Sequence, residues 1–160
     1  MAKELTVGDT APAFRLPATG GETVASTALK GRTIILYFYP KDDTSGCTRE
    51  AIDFTAHAAD FAAAGALVIG VSKDSVASHE KFARKHDLSI LLASDESGKT
   101  LEDFGVWVEK SMYGRVYMGI ERATFLIDAK GRIAAIWRKV KVPGHASAVL
   151  KAAQALHTGK

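Results

Sequence analysis

Cysteine is nearly missing from this chain of 160 residues: there is one, Cys47. That excludes an intrachain disulfide and a cysteine-rich metal site, and it points to a reducing compartment, the cytoplasm. Long apolar runs are missing too. None approaches the ~18 residues of a membrane span, and residues 1–10 carry charges where an export leader needs an apolar core, so a soluble, unexported protein without a membrane partner is expected. Charge of one sign is scarce, with a formal net charge of +3. Its one basic cluster, Arg138, Lys139 and Lys141, alternates with apolar residues and reads as a solvated strand end. No stripe of cations interleaved with stacking aromatics appears elsewhere, so no nucleic-acid partner is expected. His57, His79, His86, His145 and His157 have no ligand spacing, read as surface residues, and give no reason to expect a metal or other cofactor. With no repeat or low-complexity segment and 47% hydrophobic residues, the chain is expected to be a single domain over 1–160.

What is present is concentrated around the cysteine. Thr33 to Tyr39 is too short for a helix, rich in β-branched and aromatic side chains, and stopped by Pro40, so it reads as a central strand. After Cys47, the positions Ala51, Phe54, Ala58, Phe61 and Ala62 recur at helical spacing, and the pattern predicts one helix to Ala64 with Gly65 at its end. Thr44, Ser45 and Gly46 are residue types found at helix starts, so Cys47 falls in the first turn, where unpaired N–H groups stabilise a thiolate. A free thiol titrates at about 8.5, and a helix N-terminus with a nearby cation lowers that value. Beside this stands the plain alternative that a lone cysteine is a small buried hydrophobe.

The other elements follow in order. Phe14 to Leu16, the turn at Thr19 to Gly21, and Thr23 to Ala25 predict an N-terminal hairpin, and Ser26 to Leu29 a single helical turn. Leu67 to Ser72 is apolar enough to be buried on both faces and should run parallel to the first strand, making a βαβ unit. A helix is expected over Val76 to His86, a strand over Ile90 to Ala93, and a brief helix over Lys99 to Phe104. Val106 to Val108 reads as extended. Lys110 to Gly119 has no clean period and is expected to be an ordered loop. Ala123 to Asp128 and Arg132 to Trp137 flank a turn at Gly131 as an antiparallel pair, and Ala146 to His157 is a final amphipathic helix. Together these predict an α/β protein of thioredoxin-like fold, with a mixed central sheet, helices on both faces and an N-terminal β-hairpin.

Pro40, Thr44 and Cys47 stand as Pro-x-x-x-Thr-x-x-Cys, which resembles the active-site signature of the peroxiredoxins, thiol peroxidases of the thioredoxin fold. Tyr37 to Ala51 and the later stretch Val106 to Asp128 are similar to the bacterioferritin comigratory, or Q-type, subgroup, and the likeness covers nearly the whole chain. The resemblance implies that Cys47 is the peroxidatic cysteine, surrounded by Thr44, Pro40 and Arg122. In that reading the Cys47 thiolate attacks a peroxide oxygen and becomes a sulfenic acid. Thr44 hydrogen-bonds the peroxide or the sulfur, Arg122 stabilises negative charge, and Pro40 walls off water. Glu50, one turn beyond Cys47, would hold the arginine by a charge pair. Taken singly, each has a simpler role as strand breaker, helix cap or surface ion pair. Trp107, Tyr113 and Tyr117 read as loop packing, though an apolar collar near the thiol would suit organic hydroperoxides.

The chain departs from that pattern in one respect. Many members of the subgroup carry a resolving cysteine five residues after the first, where this chain has Ile52, and others carry it on the next helix, where this chain has none. The resemblance therefore implies a one-cysteine cycle on hydrogen peroxide or organic hydroperoxides. An external thiol, thioredoxin, glutaredoxin or glutathione, would be the reductant, and the protein would be a monomer. Three rivals stand beside it. A thiol-disulfide oxidoreductase wants Cys-x-x-Cys, and Thr44 stands three residues before Cys47. A cysteine hydrolase wants a positioned histidine base. A thioredoxin-fold peroxide sensor or binding module would oxidise with little turnover.

Overall fold

The computed structural model describes residues 4–159. Its centre is a five-stranded sheet in the order β5-β4-β3-β8-β9. The strands are β3 (Thr33–Phe38), β4 (Ala66–Ser72), β5 (Leu91–Ser94), β8 (Ala123–Ile127) and β9 (Ile133–Trp137). β3 runs parallel to β4, and β4 to β5, whereas β8 is antiparallel to both β3 and β9. This is the mixed thioredoxin-like sheet expected from the sequence. Side chains of β3 alternate across it: Ile34, Leu36 and Phe38 join one core layer, and Ile35 and Tyr37 the other, with Tyr39 beyond the strand end on that second side.

The first layer is closed by the hairpin of β1 (Arg15–Pro17) and β2 (Thr23–Ala25), through Leu16 and Val24, and by the short helix α4 (Lys99–Asp103) through Leu101. The second is closed by α1 (Ser45–Ala56), α2 (Ala58–Ala63), α3 (Val76–His86) and α5 (His145–Thr158), which contribute Phe54, Phe61, Phe82 and Val149. Among the described residues, no helix is long and apolar enough to cross a membrane.

Several sequence expectations are corrected. The single helix expected up to Ala64 is two helices, broken at His57. The His57 N–H bonds the Phe54 carbonyl three residues back at 3.2 Å, and the helix restarts when Phe61 N–H bonds the His57 carbonyl at 3.0 Å. The tightened turn lets α2 lie on β4 while Phe61 packs on Phe54, with ring centroids 5.9 Å apart. Neither glycine nor proline marks the break, so tertiary packing decides it.

The segment expected to be a loop is a hairpin, β6 (Trp107–Met112) paired with β7 (Arg115–Ile120). Tyr113 and Gly114 both have positive φ, 53° and 77°, the backbone of a tight two-residue hairpin turn. Its outer half is solvated on both faces, with Tyr113 97% exposed, so no apolar alternation betrays it, and Tyr113 does not pack as expected.

Finally, His79 and His145 are buried, not surface residues. Arg138 is also less free than a solvated strand end would be. It lies over the Phe125 ring and 3.8 Å from Glu121.

Candidate active site

β3 ends at Phe38, and the chain from Tyr39 to Thr44 turns directly into α1. On the neighbouring strand, Phe38 is paired with Ala123, so Arg122 arrives at the same end of the sheet. The fold thus brings the start of α1 and Arg122 together although 75 residues separate Cys47 from Arg122. Thr44 is the extended N-cap of α1, and Cys47 is its third residue, inside the first turn as the sequence predicts. Cys47 is 1% exposed, and Arg122 Nη2 donates to its Sγ at 3.4 Å.

The other arm of the same guanidinium, Nη1, donates to Glu50 Oε1 at 2.6 Å. Glu50 follows Cys47 by three residues, on the same helix face, and is 1% exposed. Burial pushes its carboxyl up to about 7, outweighing Arg122, which pulls the other way. Its second oxygen, Oε2, has no hydrogen-bond partner. One half-buried guanidinium therefore holds a sulfur and a carboxyl group at once.

Gly46 leaves room for this approach: a Cβ there would lie 3.2 Å from Arg122 Nη2. Gly70 on β4 plays a similar part for Tyr37, whose Cζ would lie 2.7 Å from an added Cβ. Tyr37 stacks on Phe54 with centroids 4.6 Å apart, and its buried hydroxyl is unpartnered. Burial first, and then the charges of Glu50 and Cys47, hold that phenol well above its ordinary value.

The remaining residues named from the sequence sit differently. The Thr44 hydroxyl is exposed and donates to the Lys41 carbonyl at 2.9 Å, with no bond to Cys47. Pro40 is exposed where the loop leaves β3. Lys110 of β6 lies across Gly119, its Cδ 3.2 Å from where a Cβ would be. Burial first, then Arg122, lowers its ammonium value. His145, at the start of α5, is pushed down to about 4 by burial and then Arg122, and its Nε2 lies 2.8 Å from Thr124 Oγ1.

A second polar cluster, missed from the sequence, anchors the loop before α1. His79 of α3 has Nε2 2.9 Å from the Ala93 carbonyl and Nδ1 2.8 Å from Asp42 Oδ2. The Tyr39 hydroxyl donates to Asp42 Oδ1 at 2.6 Å and Ser78 to Oδ2 at 2.8 Å, while Asp42 N–H donates to Asp74 Oδ2 at 2.8 Å. Ligand atoms of Asp42, Asp74 and His79 fall within 4.8 Å of one another, but those nearest are already engaged by protein donors and acceptors. One sequence signal was available. His79 lies three residues before Phe82, on the buried face of α3.

A family model described as AhpC/TSA matches residues 7–136. The putative peroxiredoxin bcp of Coxiella burnetii is 49% identical over 144 residues, covering 90% of this chain and 95% of its own length. Peroxiredoxin Bcp of Bacillus subtilis is 50% identical over 145 residues, covering 91% and 92%. Among solved structures, the bacterioferritin comigratory protein of Xanthomonas campestris, studied as trapped intermediate and ligand complexes for its alkyl peroxide reduction activity, superimposes with a TM-score of 0.86. It is 44% identical and covers 91% of this chain and 92% of its own.

Proposed function

The chain belongs to the AhpC/TSA family as a peroxiredoxin of the Bcp, or Q, type and is thus a thiol peroxidase, and from that premise we propose that Cys47 reduces hydroperoxides in a one-cysteine cycle. The observation that supports this most is the Arg122 fork on Cys47 and Glu50 at the first turn of α1. The Cys47 thiolate attacks the terminal oxygen of the peroxide, the O–O bond breaks, and the displaced alkoxide or hydroxide takes up a proton. Cys47 is left as a sulfenic acid. Arg122 is fixed before the reaction, so its charge stabilises negative charge as it moves from sulfur to the leaving oxygen. The Thr44 hydroxyl is a rotor that exchanges the Lys41 carbonyl for a peroxide oxygen, and Pro40, without an N–H, helps keep water from the sulfur.

The chain holds no second cysteine. An external thiol therefore attacks the sulfenic sulfur, releasing water and forming a mixed disulfide, and a second thiol exchanges onto that disulfide to regenerate Cys47. Because Cys47 is buried, the first turn of α1 opens to admit the reductant. Alkyl peroxides, on which the X. campestris relative acts, are the expected substrates together with hydrogen peroxide. The reductant is drawn from glutathione, glutaredoxin and thioredoxin.

The test is to oxidise the protein with one equivalent of tert-butyl hydroperoxide, add glutathione, and read the intact mass. One glutathione per chain, removed by glutaredoxin or excess thiol with return of a free Cys47, is expected. A sulfenic acid that no thiol reduces would overturn the cycle and leave a single-use peroxide sensor.

A further inference from the structure

The Cys47 site contains more acid than its contacting cation can neutralise. Arg122 donates one arm to Cys47 Sγ at 3.4 Å and the other to Glu50 Oε1 at 2.6 Å, and both acceptors are 1% exposed. If thiolate and carboxyl were both ionised, two buried anions would share one guanidinium, and the second charge would be left unbalanced in a poorly solvated site. Glu50 Oε2, buried and without any partner, is where a proton can sit.

We propose that Glu50 does more than hold Arg122: it is the proton carrier of the peroxidase reaction, taking the proton that leaves the Cys47 thiol and yielding it to the oxygen displaced from the peroxide. This rests on the assignment of Cys47 as the peroxidatic thiol. The balance closes. Thiol and carboxylate become thiolate and carboxylic acid. The thiolate then takes the terminal OH of the hydroperoxide and expels an alkoxide, which receives the carboxyl proton and leaves as an alcohol. Sulfenic acid and carboxylate remain, and the neutral sulfenic acid no longer competes with Glu50 for Arg122.

The surrounding groups are consistent with this. Arg122 faces Glu50 from the turn before β8, Asp53 lies one turn on along α1 and disfavours a second anion, and Tyr37 of β3 stays protonated and adds no charge. Beyond Arg122, His145 is neutral at pH 7, and Lys110 is a further cation that interacts with Cys47. Burial, which raises the Glu50 carboxyl to about 7, places its proton exchange in the working pH range.

The experiment compares two oxidants on wild type and Glu50→Gln, whose amide oxygen still accepts from Arg122. With tert-butyl hydroperoxide the leaving alkoxide needs a proton, whereas with peracetic acid the leaving acetate does not. At pH 7, Glu50→Gln should slow Cys47 oxidation by tert-butyl hydroperoxide about 10²-fold or more beyond any slowing with peracetic acid, because loss of the thiol-proton acceptor acts on both oxidants alike and loss of proton donation on the alkoxide alone. The wild-type rate with the alkyl hydroperoxide should rise and then fall with pH, and the falling limb should vanish in the variant. Infrared difference spectra of the wild type, independent of any substitution, should show a protonated carboxyl band lost as Cys47 becomes sulfenic acid at pH 7. Equal slowing with both oxidants, or no slowing, or no such band, would overturn the proposal and leave Glu50 as the holder of Arg122. If wild-type Cys47 reacted with neither oxidant, the peroxidase assignment itself would fall, and the proposal with it.

Discussion

Two buried polar clusters stand on either side of the loop that enters α1, and they are built in opposite ways. Around Asp42 and His79, both carboxylate oxygens of Asp42 and both ring nitrogens of His79 meet a partner between 2.6 and 2.9 Å. Around Cys47, one guanidinium serves two acids, Glu50 Oε2 has no partner, and the Tyr37 hydroxyl has none. A satisfied buried network rigidifies what it touches, and an unsatisfied one is held at a cost that a reactive site can turn to use. The first cluster therefore fixes the loop to α3 and β5, and the second is the one to which the proposed chemistry is assigned.

The sharpest way to break this contrast is His79→Leu. It takes the imidazole away from the buried Asp42 carboxyl and the Ala93 carbonyl, and a loss of about 1–3 kcal/mol in urea unfolding is expected. The rate of Cys47 oxidation per folded molecule should stay close to wild type. A stable variant with a slow thiol would merge the two clusters into one. Arg122→Met should do the reverse, lowering the second-order rate with peroxide by about 10²–10³-fold. Unfolding free energy should change less, because Glu50 simply keeps its proton when its partner leaves.

The pH dependence of stability follows next. The Glu50 carboxyl is raised from 4.5 to about 7 on folding, so the native state binds the extra proton, and its stabilising effect is full below 4.5 and lost as pH rises through 7. His145 is lowered from 6.5 to about 4, so the unfolded state binds the extra proton, and stability is lost as pH falls from 6.5 to 4. The two oppose one another between pH 4.5 and 6.5, where these groups leave stability nearly flat. Glu50→Gln removes one side. Its unfolding free energy should then climb by about 3 kcal/mol from pH 4 to 6.5, as read from urea midpoints. A flat profile in that variant would contradict the burial assigned to His145. The smallest effect belongs to Gly46→Ala. Its Cβ, 3.2 Å from Arg122 Nη2, shifts the guanidinium by tenths of an ångström, and peroxide oxidation should slow about 2–10-fold with Tm unchanged.

The two clusters also differ in how far the sequence reveals them. β3 and β4 are legible because every residue from Ile34 to Phe38 is buried, which makes a continuous apolar run, and the strand-to-helix join then places Cys47 in a first turn. Arg122 is not legible from spacing at all. It joins the site only through the antiparallel register of β3 and β8, and the family resemblance named it where the residues alone could not. His79 was misread because one polar residue on an apolar helix face carries no periodic signal, and only its distance from Phe82 hints at burial. The β6–β7 hairpin was missed for the opposite reason: exposed on both faces over its outer half, it shows no alternation, and the Tyr113-Gly114 turn was its remaining sign.

The most direct test of the account is to mix fully reduced protein with one equivalent of hydrogen peroxide and no reductant. Tryptophan fluorescence is followed by stopped flow and trapped sulfenate by intact mass, for wild type, His79→Leu and Cys47→Ser. The account predicts rapid formation of one sulfenate per chain in the first two and none in the third. A Cys47 that reacts no faster than free cysteine in the same buffer would contradict it, and the Arg122 fork would then be an ion pair that merely packs against a buried thiol.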